Sequence, residues 1–248
     1  MAGHSKWSNI KHRKAAQDAK KNALFTKHAN NIAIAAKNDP DTSMNPGLKM
    51  AIDNAKADNM PNAKIDKAIA RGSGADKDAN VLEEIVYEGY GPGGTGLLVR
   101  CVTDNRNRTV SNIRMTFDKN GGKFADSGAV SWQFERKGVA ILSIGEFSNL
   151  DDSALEEKAF EIATELNCDD FSLFKTEDGN LQIELICSTE ELSNVRKDAK
   201  NLMKAEIAFI PIDANRVEIG EKETEKLEKL IDKLDELEDV AEVVTNKK

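Results

Sequence analysis

Residues 221–240 read EKETEKLEKLIDKLDELEDV. Leu227, Leu230, Ile231, Leu234 and Leu237 recur at helical spacing among charged residues, which predicts one amphipathic helix over 221–240 with a single leucine stripe. That stripe needs a sheet or another helix to cover it; left exposed, it would instead be the docking surface of a protein-interaction module that binds no nucleic acid, the alternative reading of this chain. Two short β-rich runs, 207–212 and 216–219, lead into it. Far upstream, residues 75–134 hold strands at 85–87, 96–102 and 130–134 and a helix at 105–120, too few elements to close a core. The chain is therefore expected to return there, making one α/β domain of residues 75–134 plus 206–245. The intervening residues 135–205 carry strands at 139–144, 170–174 and 181–187 and helices at 152–165 and 189–203. Their β-α-β-β-α order predicts an inserted ferredoxin-like domain.

The first 74 residues differ in texture. A stripe of Leu24, Phe25, Ala29, Ile32, Ala33 and Ala36 predicts a helix over 22–37. Asn45-Pro46 supplies a cap and a first-turn proline for a second helix, which uses Leu48, Ile52 and Ala55. A third begins at Pro61-Asn62, buries Ile65 and Ile69 and stops at Gly72-Ser73-Gly74. The expected fold class is thus α+β: an N-terminal three-helix bundle with a basic arm (1–74), then two α/β domains, the third inserted into the second.

Charge is sorted along the chain. Residues 1–74 hold thirteen Lys/Arg against six Asp and no Glu, a net of +7 in a chain whose total is −8, leaving −15 for the rest. A surface built only for solubility intersperses both signs. The one-sided distribution instead matches a nucleic-acid-binding segment on an acidic body. Candidate contacts are Lys6, Trp7, Lys11, His12, Arg13, Lys14, Lys20, Lys21 and Lys27. Lysines suit phosphate as mobile point charges. Trp7 has two readings, a ring for base stacking or an apolar anchor folded onto the bundle. A second candidate is Asp104-Asn105-Arg106-Asn107-Arg108-Thr109 with Arg114. Arg106, Arg108 and Arg114 either pair with local carboxylates or form an anion site with the free N–H groups of a helix start.

Other functions find little support. Gly89-Tyr90-Gly91-Pro92-Gly93-Gly94 formally satisfies a dinucleotide fingerprint, but it leads into a strand rather than a helix, so a tight strand connection is the better reading. Three histidines, His4, His12 and His28, lack metal or catalytic spacing, so neither an enzyme nor a bound metal, cofactor or small-molecule substrate is expected. Cys101, Cys168 and Cys187 form no ligand motif and read as reduced thiols of a cytoplasmic protein. No apolar run is long enough to span a bilayer, no secretory h-region follows the first lysines, and the lysine-dominated start does not fit an arginine-rich transit peptide.

Several stretches together resemble the YebC/PmpR family: MAGHSKWSNIKHRKAAQDAKK (1–21), NPGLKMAIDNAKADNMP (45–61), IARGSG (69–74), YEGYGPGG (87–94), TDNRNRTVSNIR (103–114) and FERKG (134–138). The match runs in register over nearly the full length. The resemblance implies three domains, a helical bundle and two α/β domains, in a cytoplasmic, non-enzymatic protein. Members are described as DNA-binding transcriptional regulators; mitochondrial relatives are translational activators of cytochrome c oxidase, and others are linked to ribosomes. DNA, ribosomal or messenger RNA and the ribosome are accordingly the implied partners. Lys6, Lys11, Arg13, Lys14, Lys20 and Lys21 fall on the family's basic motif, and Arg106, Arg108 and Arg114 on its TDNRNRT motif. Where members usually place an arginine and a glutamate, this chain has His28-Ala29-Asn30-Asn31, which removes a cation from the expected binding face.

Overall fold

The computed structural model describes residues 17–76, 80–176 and 179–248, with side chains from Leu24 onward. Among these residues it is α+β, with two four-stranded sheets. Two compact units result: Arg136–Phe209, and Ile210–Lys248 joined with the residues up to Glu135.

In the second of these, three helices come first: α1 (Gln17–Ala36), α2 (Pro46–Ala57) and α3 (Asn62–Gly72). The Asn45 side chain accepts from the Leu48 N–H at 3.0 Å and donates to Ala35 and Asp39 carbonyls, so the residue that starts α2 also ties it to the end of α1. Phe25, Ile32, Leu48, Ile52, Ile65 and Ala68 make the core of the bundle. Gly72 ends α3 directly against the Ala33 carbonyl, where a Cβ would overlap the backbone. Only glycine permits that approach.

Strands β1 (Glu83–Tyr90) and β2 (Gly96–Thr103) form a hairpin, followed by α4 (Arg106–Lys119) and β3 (Lys123–Ala125). Helix α7 (Glu221–Asp235) and strand β8 (Val240–Thr245) complete the sheet in the order β3-β1-β2-β8. Alternation decides its two faces. Leu97, Val99 and Cys101 point to one side and pack with Ile113 and Phe117 of α4 and Leu227, Leu230, Ile231 and Leu234 of α7, all essentially fully buried. Val102 points to the other and packs with Ala33 of α1, while Arg100 reaches Asn31 at 3.1 Å. The sheet is thus sandwiched between the bundle's first helix and the α4–α7 pair.

Burial of the leucine stripe removes it as a docking surface, since the protein's own sheet already covers it. The helix is also shorter than its stripe predicts. It stops at Asp235, and residues 240–245 pair antiparallel with β2. Val217 makes a single bridge to Lys247 where a strand over 216–219 was expected. At 130–134 a 3-10 turn, Ser131–Gln133, precedes the next strand.

A polar lock joins the ends of this unit. Asn246 accepts from the Gly96 N–H at 2.8 Å and donates to the Gln133 side chain and the Asn215 carbonyl, while the Ile212 N–H donates to the Gln133 carbonyl at 2.9 Å. Departure and return of the chain are therefore fastened at one place.

Residues 136–209 contain most of β4 (Phe134–Ser143), then α5 (Asp152–Glu165), β5 (Asp170–Lys175), β6 (Leu181–Cys187), α6 (Leu192–Asp198) and most of β7 (Leu202–Pro211). The order β5-β6-β4-β7 is the ferredoxin-like arrangement. Helix α6 is less than half the span expected over 189–203: it starts only at Leu192, the backbone turns extended at Ala199, and the edge strand takes over from Leu202. Asp151 caps α5 by accepting from the Ala154 N–H at 2.9 Å.

Candidate nucleic-acid interface

Lys6, Trp7, Lys11, His12, Arg13 and Lys14 lie outside the described residues. Lys20 and Lys21 lie on the first turns of α1, which begins five residues before the helix predicted over 22–37. Lys27 faces inward. It is half-buried, with Nζ 3.1 Å from the Asp235 carboxylate at the end of α7, and so helps hold α1 to the α/β layer.

The expected binding face over 28–31 also points inward. His28 is buried, with Nε2 2.7 Å from Asp58; Asn30 is buried; and Asn31 accepts from Arg100. The cation missing from this stretch is therefore missing from an internal contact. Lysines that the candidate set omitted stand outward instead: Lys49 and Lys56 two turns apart on α2, Lys64 and Lys67 one turn apart on α3, all exposed. The sequence signal for them is the same positive balance of residues 1–74, spread between the apolar positions of two amphipathic helices. Lys64 also lies 4.9 Å from the Phe25 ring centroid, and Asp53 shares the α2 surface with its two lysines.

The three arginines of the TDNRNRT stretch do not converge. The Asn105 side chain accepts the Arg108 N–H at 3.0 Å, filling the helix start with the protein's own cap. Arg108 Nη2 lies 2.8 Å from Asp239 and 3.0 Å from Asp104, and Thr109 Oγ1 donates to the same Asp239 at 2.8 Å. Hydrogen bonding to Asp239 and its charge raise the Arg108 pKa further. The Asn80 amide, then Arg108, hold the Asp104 carboxyl below its ordinary range. Arg114 lies over the Phe124 ring at 4.9 Å, and Arg106 approaches Glu83 at 3.5 Å in a pair both of whose members are well exposed. A cleft lined by Arg108, Asn112, Leu237 and Asp239 opens beside this network, and Glu236 and Glu238, which also line it, make it hostile to anions. Two of the three guanidinium groups thus serve structure, by pairing and by stacking.

The glycine-rich loop is structural too. Gly91 N–H donates to the Thr95 carbonyl at 2.7 Å across the β1–β2 connection, and Gly93 and Gly94 take positive φ. Side chains of Leu227 and Ile219 leave no room for a Cβ at Gly91 or Gly93. Glu88, just before the loop, is buried and accepts three backbone N–H groups, from Gly128 at 2.7 Å, Val130 at 2.7 Å and Ser131 at 2.9 Å. Burial pushes its carboxyl up, but the three donors outweigh it and hold the group below its usual range.

Family models match the chain end to end, the TACO1/YebC N-terminal domain over residues 5–75 and the second and third domains over 82–247. The chain belongs to the TACO1/YebC family. Relatives include a probable transcriptional regulatory protein of Maridesulfovibrio salexigens, 41% identical over 253 residues, covering 99% of this chain and 95% of that protein. One from Thermotoga maritima is 40% identical, covering 99% and 93%. A relative from Escherichia coli called YebC is 42% identical, covering 99% and 96%. A crystal structure of a conserved hypothetical protein from Aquifex aeolicus superposes with a TM-score of 0.80 at 37% identity, covering 98% of this chain and 97% of that one. These three sequence relatives carry regulatory names. Among the described residues no helix is long and apolar enough to cross a membrane, and no cluster of His, Cys, Asp or Glu is placed to hold a metal ion.

Proposed function

We propose that this protein is a cytoplasmic nucleic-acid-binding regulatory factor that grips phosphate with residues 1–74, the acidic remainder serving as scaffold and partner surface. The observation that carries this reading is the partition of charge, +7 over residues 1–74 against −15 beyond them within a total of −8. Exposed Lys49, Lys56, Lys64 and Lys67 extend the basic arm's charge onto the bundle. No catalytic step is invoked in this reading.

Lysines dominate the basic segment, whereas reading base edges calls for arginine, asparagine or glutamine placed in a groove. Phosphate grip and shape suffice for ribosomal or messenger RNA, which favours a translation factor on the ribosome. The relatives' names favour promoter DNA. Crosslinking in cells followed by sequencing of bound RNA and DNA separates the two. Recovery of ribosomal RNA that disappears on Lys20→Glu with Lys21→Glu supports translation; promoter fragments support transcription. A protein lacking residues 1–21 that still binds nucleic acid as tightly as the intact chain refutes the assignment to the arm. In vitro, four neutralised phosphates weaken binding about a hundredfold between 50 and 200 mM salt.

A further inference from the structure

Two aromatic rings share one polar anchor at the end of strand β1. The Tyr90 hydroxyl donates to the Ala129 carbonyl at 3.0 Å, and Trp132 Nε1 donates to the same oxygen at 3.1 Å. A carbonyl oxygen has two lone pairs, so one backbone group holds both side chains. Its position is fixed. Glu88 gathers the N–H groups on either side of it, from Gly128 and Val130, and Gln133, next to Trp132, accepts from Asn246. Each ring thus spends its polar atom inward, yet Trp132 is 62% and Tyr90 37% exposed. Elsewhere in this unit Tyr87 and Phe117 each pack on Phe124; Tyr90 and Trp132 have no such ring partner among the described residues.

Strand register places a cation beside them. In the β1–β3 pairing Tyr90 stands opposite Lys123, so the two side chains leave the same face of the sheet about 5 Å apart. Lys123 is exposed and has no carboxylate partner among the described residues; Asp126, on the loop, is its nearest acid in sequence. Alternation puts Tyr90 on the face shared by Glu84 and Val86, which lie opposite Val102 and Arg100, the residues that meet α1. The rings therefore occupy the sheet face that carries the helical bundle, about 20 Å along the strand from Glu84. We infer, on the nucleic-acid-binding reading proposed above, that Trp132 and Tyr90 form a stacking platform for an unpaired base of single-stranded RNA, with Lys123 on its phosphate. A ring whose N–H or O–H is already bonded offers a face alone, which suits any base. Duplex DNA keeps its bases stacked internally, whereas the loops and ends of RNA present them free. The bundle's lysines supply charge and these rings supply stacking, the two components of single-strand binding.

Fluorescence anisotropy of the full-length protein tests this with labelled oligouridylate, an RNA duplex and oligothymidylate across a salt series. Trp132→Ala is expected to weaken oligouridylate binding about tenfold. The salt slope should not move, because stacking releases no counterions. Tyr90→Ala weakens binding less, Trp132→Phe keeps a ring and most of the affinity, and none of the three changes duplex binding. Lys123→Gln makes the single-strand salt slope shallower by about 0.7. Met115→Ala removes an exposed apolar side chain from α4, on the other side of the sheet, and leaves affinity unchanged. Oligouridylate carrying 4-thiouridine crosslinks to the tryptic peptide of residues 124–136, which holds Trp132. Wild-type affinity in Trp132→Ala, an equal loss with the duplex, crosslinks confined to other peptides, or ring-dependent binding that prefers oligothymidylate would each overturn the platform and leave the phosphate grip standing. A wild-type protein that binds no nucleic acid removes both readings. Circular dichroism reports whether Trp132→Ala is folded; should it unfold, Trp132→Phe and the crosslinked peptide decide.

Discussion

The cations of α4 and those of α2 and α3 have the same formal charge and differ in how closely carboxylates hold them. On α4, Arg108 lies between Asp104 and Asp239, and Arg114 stacks on Phe124. On α2 and α3, Lys49, Lys56 and Lys67 are exposed with Asp53 the carboxylate sharing the α2 surface, and Lys64, also exposed, lies over the Phe25 ring as Arg114 lies over Phe124. A positive side chain attracts a polyanion only to the extent that nearby carboxylates have not already compensated it. The arginine-rich motif is thus the more conspicuous in sequence, and the dispersed lysines are the better placed for phosphate.

Reversing Lys49, Lys56, Lys64 and Lys67 together to Glu is the strongest test of that contrast. Nucleic-acid affinity at about 0.1 M salt is expected to fall at least about a hundredfold, with the slope of log affinity against log salt shallower by about 3 or 4. Fluorescence anisotropy with labelled RNA and DNA duplexes across a salt series measures both. An unchanged slope would confine binding to the arm and erase the distinction between the two sets of cations.

Next in size is a carboxylate that shows how completely charge can be absorbed by structure. Glu88→Gln keeps one acceptor oxygen but replaces the other with a donor facing backbone N–H groups, at a cost of about 3 kcal/mol. Chemical denaturation reads that loss at neutral pH. Because the folded protein holds this carboxyl below its ordinary value of 4.5, its contribution is present above that pH and fades as pH falls through the folded-state value. The gap between wild type and variant should therefore narrow in acid. A gap constant down to pH 3 would mean that the nest does not favour the ionised form.

These two features differ in how far they could be read from sequence. The start of α2 at Asn45-Pro46, the extent of α5 and the limits of β6 followed from local signals: a cap, an amphipathic stripe, a run of alternating apolar residues. Strand β8 did not. Leu237 and Val240 prolong the helical stripe of α7, and the strand exists because β2, some 140 residues earlier, offers an unpaired edge. The same distance hid the site's real arrangement. Asp239 is 131 positions from Arg108, Asp235 is 208 from Lys27 and Arg100 is 69 from Asn31, so no local pattern could distinguish a cation in a pair from one facing solvent. Asp239→Asn tests that hidden partnership. It weakens the acceptor shared by Arg108 and Thr109 and should destabilise by about 1–2 kcal/mol, seen as a lower melting temperature, while leaving nucleic-acid binding intact. Tighter binding by this variant would show that Asp239 had been masking a usable guanidinium.

Arg106 gives the smallest effect and the sharpest discrimination. Its side chain is 66% exposed, and its partner Glu83, 3.5 Å away, is 52% exposed. A pair so open to water contributes under about 0.5 kcal/mol, so Arg106→Ala should leave the denaturation curve almost unmoved. Stability therefore cannot confuse the binding result. If the helix start bound phosphate, Arg106 would be its most available cation, and its loss would lower affinity several-fold and reduce the salt slope by about one. Asn105 already occupies that helix start with its own side chain, and Glu83 stands beside the guanidinium, so neither change is expected. A several-fold drop in affinity from this one variant would transfer α4 from the scaffold to the binding surface.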